Sequence, residues 1–518
     1  MKRRRFLAAA AAGTGLAAGT PFAGRILVPG RPGVPLPLRS AAELPRPYQV
    51  PLPVPAVLRP VRTDATTDTY AITQRLASLR ILPGLETEAW TYDGGYPGPT
   101  LVSRAGRRTV VTHRNELPQP VAVHLHGGHT PHDSDGHPTD LILPVGWGKG
   151  HPYGMADMDG MGVTTLGERT YTYPLDQRAA TLWYHDHRMG FTGPSAYRGL
   201  AGFHLVHDDE DDALPLPRGE RDVLLMITDR SFTADGSFHY PAIDPAWGTP
   251  GVTHHWMEGV LGDTILVNGA PWPVLDVQRL RYRLRVLNAS NSRIYKLELD
   301  PQPPGGDALV QIGSDGGLLE RPVRHDALAM APAERFDLVV DFARYRPGTR
   351  VRLVNRLGSG TTAEVMRFDV SGASRTPADE TAVPARLSTI ERLDPRRAAV
   401  TRTFHFQRSE GVGWTINGMA YQPGRAIAAP KLGTTEVWRI VSDFHHPIHV
   451  HLNPFQVVAR DGRAPGPYDA GWKDTVDVLP GQSAEFAVRF TDYPGRFLVH
   501  CHNLEHEDMA MMADFLTR

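Results

Sequence analysis

The sequence predicts an all-β chain: three tandem units of one plan, each an antiparallel sandwich or barrel. Two observations predict it. A turn-and-strand signature occurs three times, and the segments after it alternate apolar and polar residues with the period of two that half-buried strands require. The 518 residues also carry 51 glycines and 46 prolines, the punctuation of many short strands joined by turns. A chain this long exceeds what one hydrophobic core holds and divides into domains.

In chain order, Met1-Lys2-Arg3-Arg4-Arg5-Phe6-Leu7 and the alanine-rich run to Ala18 read as a twin-arginine export signal, taken as residues 1–30. Its apolar run is too short to span a bilayer, so no stable membrane insertion is expected. The signal predicts a periplasmic, cell-surface or extracellular protein, exported already folded. Residues 31–60 are dense in proline and predict an extended surface strap.

The first unit, 45–212, opens on Tyr92-Asp93-Gly94-Gly95-Tyr96-Pro97-Gly98-Pro99, and the second, 218–375, on Val267-Asn268-Gly269-Ala270-Pro271-Trp272-Pro273. The third, 395–518, opens on Ile416-Asn417-Gly418-Met419-Ala420-Tyr421-Gln422-Pro423. Predicted strands follow at Thr109 to Asn115, Tyr282 to Asn288 and Glu436 to Ser442. Each unit closes alike, on segments ending at His185-Asp186-His187, Arg352-Leu353-Val354-Asn355 and His500-Cys501-His502.

With 55 basic and 56 acidic residues the chain offers no charge excess for nucleic acid or an anionic surface. Its one cysteine cannot form an internal disulfide, and metal ligation gives an exported protein a reason to keep it. His-x-His pairs stand at His124/His126, His185/His187, His449/His451 and His500/His502, and the last pair flanks Cys501. A lone pair is ordinarily a polar strand face; four pairs around the sole cysteine are a ligand set. In an extended strand His500 and His502 share one face and Cys501 takes the other. Cys501 with two imidazoles and a weak axial methionine is the set that favours a copper electron-transfer centre. His506 and Met511 follow closely, and His446 would come from a neighbouring strand end. The middle unit has Arg352-Leu353-Val354-Asn355 where the others have ligands. It is therefore expected to be a spacer, with His254 and His255 at the surface or structural, while the outer units meet at a shared cluster.

The pattern His446-x-x-His449-x-His451 with His500-Cys501-His502-x-x-x-His506-x-x-x-x-Met511 resembles the multicopper oxidases. The wording His124-Leu125-His126-Gly127-Gly128, Ser134-Asp135-Gly136-His137-Pro138, Ser314-Asp315-Gly316-Gly317, Gly471-Trp472-Lys473-Asp474 and Leu504-Glu505-His506-Glu507-Asp508 is similar to the branch of bacterial spore-coat laccases and bilirubin oxidases. The resemblance runs from about Leu44 to the C-terminus and implies three cupredoxin-like domains with four copper ions. It implies that His446, Cys501, His506 and axial Met511 hold the blue (type 1) copper, and that His124 and His449 hold the type 2 copper. His126, His185 and His502 would hold one type 3 copper and His187, His451 and His500 the other. Asp135 and Glu507 match acidic residues near that cluster, as proton relays or as partners orienting ligand imidazoles.

The implied activity is a copper-dependent oxidoreductase of laccase type, coupling one-electron oxidation of a small aromatic reductant to four-electron reduction of O2 to water. An axial methionine lowers the blue-copper potential, favouring easily oxidised phenols, aromatic amines and bilirubin-like donors. Their oxidation is expected at an exposed edge of His506. Met155, Met158 and Met161 raise the alternative of a metallo-oxidase acting on Cu(I) or Mn(II), since thioethers suit Cu(I). A copper-free scaffold would have lost ligands, and a simple electron carrier would leave eight histidines unexplained.

Overall fold

The computed structural model describes residues 37–148, 162–372 and 378–518. Among them the strands form three successive pairs of sheets and one two-stranded ribbon. The predicted strands appear as Arg108–Asn115, Arg281–Asn288 and Thr434–Ser442, and the closing segments as Ala180–Asp186, Arg350–Asn355 and Gly495–Cys501. Arg108–Asn115 alternates buried and open positions, whereas Ala180–Asp186 is buried on both faces, and each sheet pair encloses its own apolar core.

The sheets are mixed and not antiparallel throughout. Thr67–Leu79 runs parallel to Arg108–Asn115, Asp222–Arg230 to Arg281–Asn288, and Val400–Ser409 to Thr434–Ser442. Parallel neighbours need a crossover, and in each unit the chain supplies it by visiting the opposite sheet between the two strands. Turn signals and alternation do not report that detour.

The third core is organised around Trp438, which is fully buried with Phe404, Phe490 and Phe515 at ring-centroid distances of 4.9, 5.6 and 5.3 Å. Fully burying one large apolar side chain stabilises a fold by about 1.5–3 kcal/mol. Cys501 and Met511 belong to this same core.

Residues 37–60 form no helix and no strand of a sheet, and bend at 41–42, 47–48 and 50. Leu38 N donates to Leu261 O, Tyr48 N to Trp272 O, Leu52 N to Val274 O and Leu58 N to Thr100 O, at 2.7–2.9 Å. The strap thus runs along the middle sheets and reaches the first unit. Among the described residues no helix is long and apolar enough to cross a membrane.

Candidate metal centre

Strands His446–Val450 and Gly495–Cys501 pair with Ile448 opposite Cys501 and His449 opposite His500. The chain then turns through Asn503, whose N donates to Cys501 Sγ at 3.4 Å, into the helix Leu504–Asp508 that carries His506. Cys501 Sγ lies 3.4 Å from His446 Nδ1 and 3.7 Å from His506 Nδ1, and the two nitrogens are 3.0 Å apart. Met511 N donates to His506 O, and its side chain is buried beside Cys501 in the third core. Met512 points elsewhere, packing with Tyr421 and Leu498, and Met509 is half-buried. Burial pushes the Cys501 thiol well above its ordinary value. Burial, and then the neighbouring imidazoles, hold His446 and His506 below theirs. Thiolate in so dry a site needs a cation beside it, and the donor set is the soft one that suits copper.

The eight His-x-His imidazoles form a second, larger cluster. His126 stacks on His449 with ring centroids 3.7 Å apart, and His124 on His451 at 4.0 Å, so the first and third units meet there. His185 and His502 rings are 5.4 Å apart, and His187 and His500 4.8 Å. Seven of the rings have one nitrogen facing a carboxylate or backbone oxygen outside the cluster. His124, His185 and His449 turn Nδ1 to the backbone oxygens of Asp135, Asp186 and Asp474 at 2.6, 2.8 and 2.9 Å. His451 Nδ1 meets Asp135 Oδ2 at 2.7 Å, and His126 Nε2 meets Asp474 Oδ1 at 3.1 Å. Glu507 spans His187 Nδ1 at 3.3 Å and His500 Nδ1 at 3.1 Å. The opposite nitrogens face inward. His124 Nε2, His126 Nδ1, His185 Nε2, His449 Nε2 and both His502 nitrogens have no hydrogen-bond partner among the described residues. The inward Nε2 atoms of His187 and His451 each stand 3.3 Å from that of His500. A ring anchored at one nitrogen and bare at the other is what metal ligation asks of histidine, and this orphaned, buried ring fits copper.

The carboxyls around the cluster are shifted in opposite directions. Burial, then the nearby Asp140, pushes the Asp135 carboxyl well above its usual range. Burial opposes ionisation of Glu507 too, but His187 and His500 facing it outweigh that and hold it well below. A cavity of about 370 Å³ reaches His124, His449 and His451 from the side of Gly128 and Trp472.

Two expectations change. His506 has no exposed edge, since it is fully buried. Trp414 lies 3.8 Å from its ring and Phe444 5.7 Å. The cover is completed by the insertion between strands Asp222–Arg230 and Thr264–Val267, where Met257 O accepts from Trp414 Nε1 and Glu258 O from Asn503 Nδ2. The middle unit is also more than a spacer. Strand Arg350–Asn355 supplies no ligand, yet Val260 N and Asn291 Nδ2 donate to Glu505 at 3.0 and 2.8 Å, holding the helix that carries His506. His137 is buried, with Nε2 3.1 Å from Asp514 Oδ1. His254 and His255 are exposed, as expected. Met155, Met158 and Met161 lie outside the described residues.

The sequence matches a family described as multicopper oxidase over residues 392–518, and again over 75–155 and 148–211. It is 36% identical to a laccase of Bacillus subtilis (strain 168) over 519 residues, covering 89% of this chain and 96% of that one. To a bilirubin oxidase of Albifimbria verrucaria it is 34% identical over 503 residues, covering 90% and 81%. The crystal structure of a laccase from Pediococcus acidilactici superposes with a TM-score of 0.79 at 30% identity, covering 93% of this chain and 96% of the other. Ligand spacing, inward imidazoles and these relatives agree: the chain belongs to the multicopper oxidase family.

Proposed function

We propose that the protein is a laccase-type oxidase that binds four copper ions and couples the one-electron oxidation of phenols, aromatic amines and bilirubin-like donors to the reduction of O2 to water. The observation that carries this reading is Cys501, whose sulfur meets His446 and His506 while its two chain neighbours enter the eight-imidazole cluster. Copper at these places would supply one-electron redox changes, one at the sulfur site and three across the cluster, which together make the four electrons that reduction of O2 to water requires.

The chain's own residues do the rest. The Cys501 peptide joins the two sites through a few covalent bonds, because successive side chains in a strand take opposite faces. His446, Cys501, His506 and Met511 hold the blue site. His124 and His449 hold the type 2 position, and the remaining six imidazoles the type 3 pair. Asp135 and Glu507 orient ligand rings and relay protons. Asp135 presents Oδ2 to His451 Nδ1 at 2.7 Å, and Glu507 receives a hydrogen bond from Thr192 Oγ1 at 2.6 Å. Two buried carboxyls touching ligand rings are placed to pass protons to the cluster. With His506 sealed, a donor meets the sulfur site at Asp443, whose 44%-exposed side chain stands 3.5 Å from His446 Nε2. Each sheet pair is one cupredoxin-like domain, at 45–212, 218–375 and 395–518, and the twin-arginine leader sends the protein out of the cytoplasm.

Copper analysis with oxygen uptake on a panel of substituted phenols tests the reading. Four coppers per chain, a blue thiolate band and uptake with water as the product are expected. Cys501→Ser should abolish the band and donor-driven uptake together. A colourless, oxygen-inert preparation at full copper loading would overturn it.

A further inference from the structure

The middle unit reaches the imidazole cluster through one buried side chain. Arg335, at the start of strand Arg335–Asp341, grips the Asp474 carboxylate with both guanidinium ends: Nη1 donates to Oδ1 at 2.7 Å and Nη2 to Oδ2. Asp474 in turn serves both outer units. Its Oδ1 faces His126 Nε2 of the first at 3.1 Å, and its backbone oxygen faces His449 Nδ1 of the third at 2.9 Å. The remaining guanidinium contacts fix Arg335 itself: Nε donates to Thr181 O at 3.0 Å, Nη1 to Ala333 O at 3.0 Å and Nη2 to Asp315 O at 3.2 Å. Arg335 and His126 are fully buried and Asp474 nearly so.

A second observation shows how closely this contact is built. Gly127, directly after His126, has φ +84°, and a Cβ there would stand 2.7 Å from Arg335 Nη2 and 2.9 Å from Asp474 Oδ2. The guanidinium occupies space that any other residue at 127 would fill.

We propose that Arg335 is a positioning residue for the copper cluster. It fixes Asp474 by a two-point contact, and Asp474 thereby sets which nitrogens of His126 and His449 turn inward. Oδ1 accepts from His126 Nε2, which leaves Nδ1 as the inward atom, and the backbone oxygen accepts from His449 Nδ1, which leaves Nε2. Planar, bidentate carboxylate recognition is the property that separates arginine from lysine. Removing a partner that orients a metal-bound imidazole weakens metal retention about 10–100-fold. The inference rests on the reading that His126 and His449 are copper ligands.

The test compares the copper-loaded wild-type chain with Arg335→Gln and Arg335→Lys for copper per chain, the blue thiolate band, the electron paramagnetic resonance of the cluster copper, and copper loss to a chelator. In Arg335→Gln the blue band should persist while cluster copper is lost to the chelator about 10–100-fold more readily. Arg335→Lys, which keeps the charge but not the two-point contact, should retain copper better yet still show a changed resonance. Wild-type retention and resonance in both variants would overturn the proposal. Parallel loss of the blue band and the cluster in Arg335→Lys would overturn it too, because Arg335 would then only hold the fold. If Arg335→Gln does not fold, the lysine variant decides alone, since an unchanged resonance there refutes the positioning role. A wild-type chain that binds no cluster copper would instead refute the underlying ligand reading.

Discussion

Lys473 gives a prediction whose size follows from the structure. Its ammonium is fully buried, 3.0 Å from Asp315 Oδ2 and 3.0 Å from Glu334 Oε1. At that separation each attraction is about 5–6 kcal/mol for an effective dielectric constant near 20, offset by several kcal/mol for desolvating each ion. Removing one partner from such a group typically costs ~3–5 kcal/mol, because the others stay buried without compensation. Lys473→Met should therefore lose about that much. The loss should depend on pH. Burial already pushes the Glu334 carboxyl up to about 7, even with Lys473 pulling it down. Without the lysine its folded value rises further above the unfolded one, so its contribution survives at low pH and is lost as pH rises through the folded value. Denaturant unfolding of the copper-loaded variant should show the larger deficit at pH 8 and the smaller at pH 5.5. Adding Glu334→Gln to Lys473→Met should recover about half of it, in a double-mutant cycle. A deficit under ~1 kcal/mol at pH 8, or one equal at both pH values, would refute the reasoning.

Three further outcomes are expected. Glu507→Gln removes the anion between His187 and His500; oxygen uptake should fall ~10–100-fold while donors still bleach the blue band, as stopped-flow absorbance with an oxygen electrode would show. Gly136→Ala places a Cβ 1.9 Å from Val123 O, at φ +77°. The strand Val123–His126 must then move, at about 3 kcal/mol or more, and copper per chain should drop below that of the wild type. Asp379 is partly exposed. Burial opposes its ionisation, but hydrogen bonds from Thr381, Arg281 N and Arg221 outweigh that and hold its carboxyl down at about 2, below the ordinary 3.8. Its stabilisation, ~1 kcal/mol after solvent screening, is present above about pH 4 and lost as pH falls toward 2. Asp379→Asn and wild type should thus differ in unfolding midpoint at pH 6 and converge near pH 2.

The ligand pairs were legible because a strand repeats every two residues, so His-x-His announces two imidazoles on one face wherever the segment is extended. The choice of Met511, ten residues after Cys501, came from the family's spacing and not from strand periodicity. The chain leaves one strand, makes the short helix Leu504–Asp508 and returns antiparallel, with Met512 opposite His500. The cover on His506 was not legible. It comes from around Met257, some 250 residues away, and nothing local to His506 signals that a loop of another unit will close over it. Arg335 likewise reads as an ordinary strand residue, since its role depends on a carboxylate 139 positions later. Pairing direction was hidden too: alternation fixes which face is buried, but not whether a neighbour runs up or down.

The segment from Pro37 to Leu58 fastens the molecule like a seam, stitched by backbone contacts to the chain at Leu261, Trp272, Val274 and Thr100. Any maturation cut that ran past Pro37 would take the first of those stitches with it. A shortened beginning should therefore show itself far from the cut, as a loosening between the first and second units.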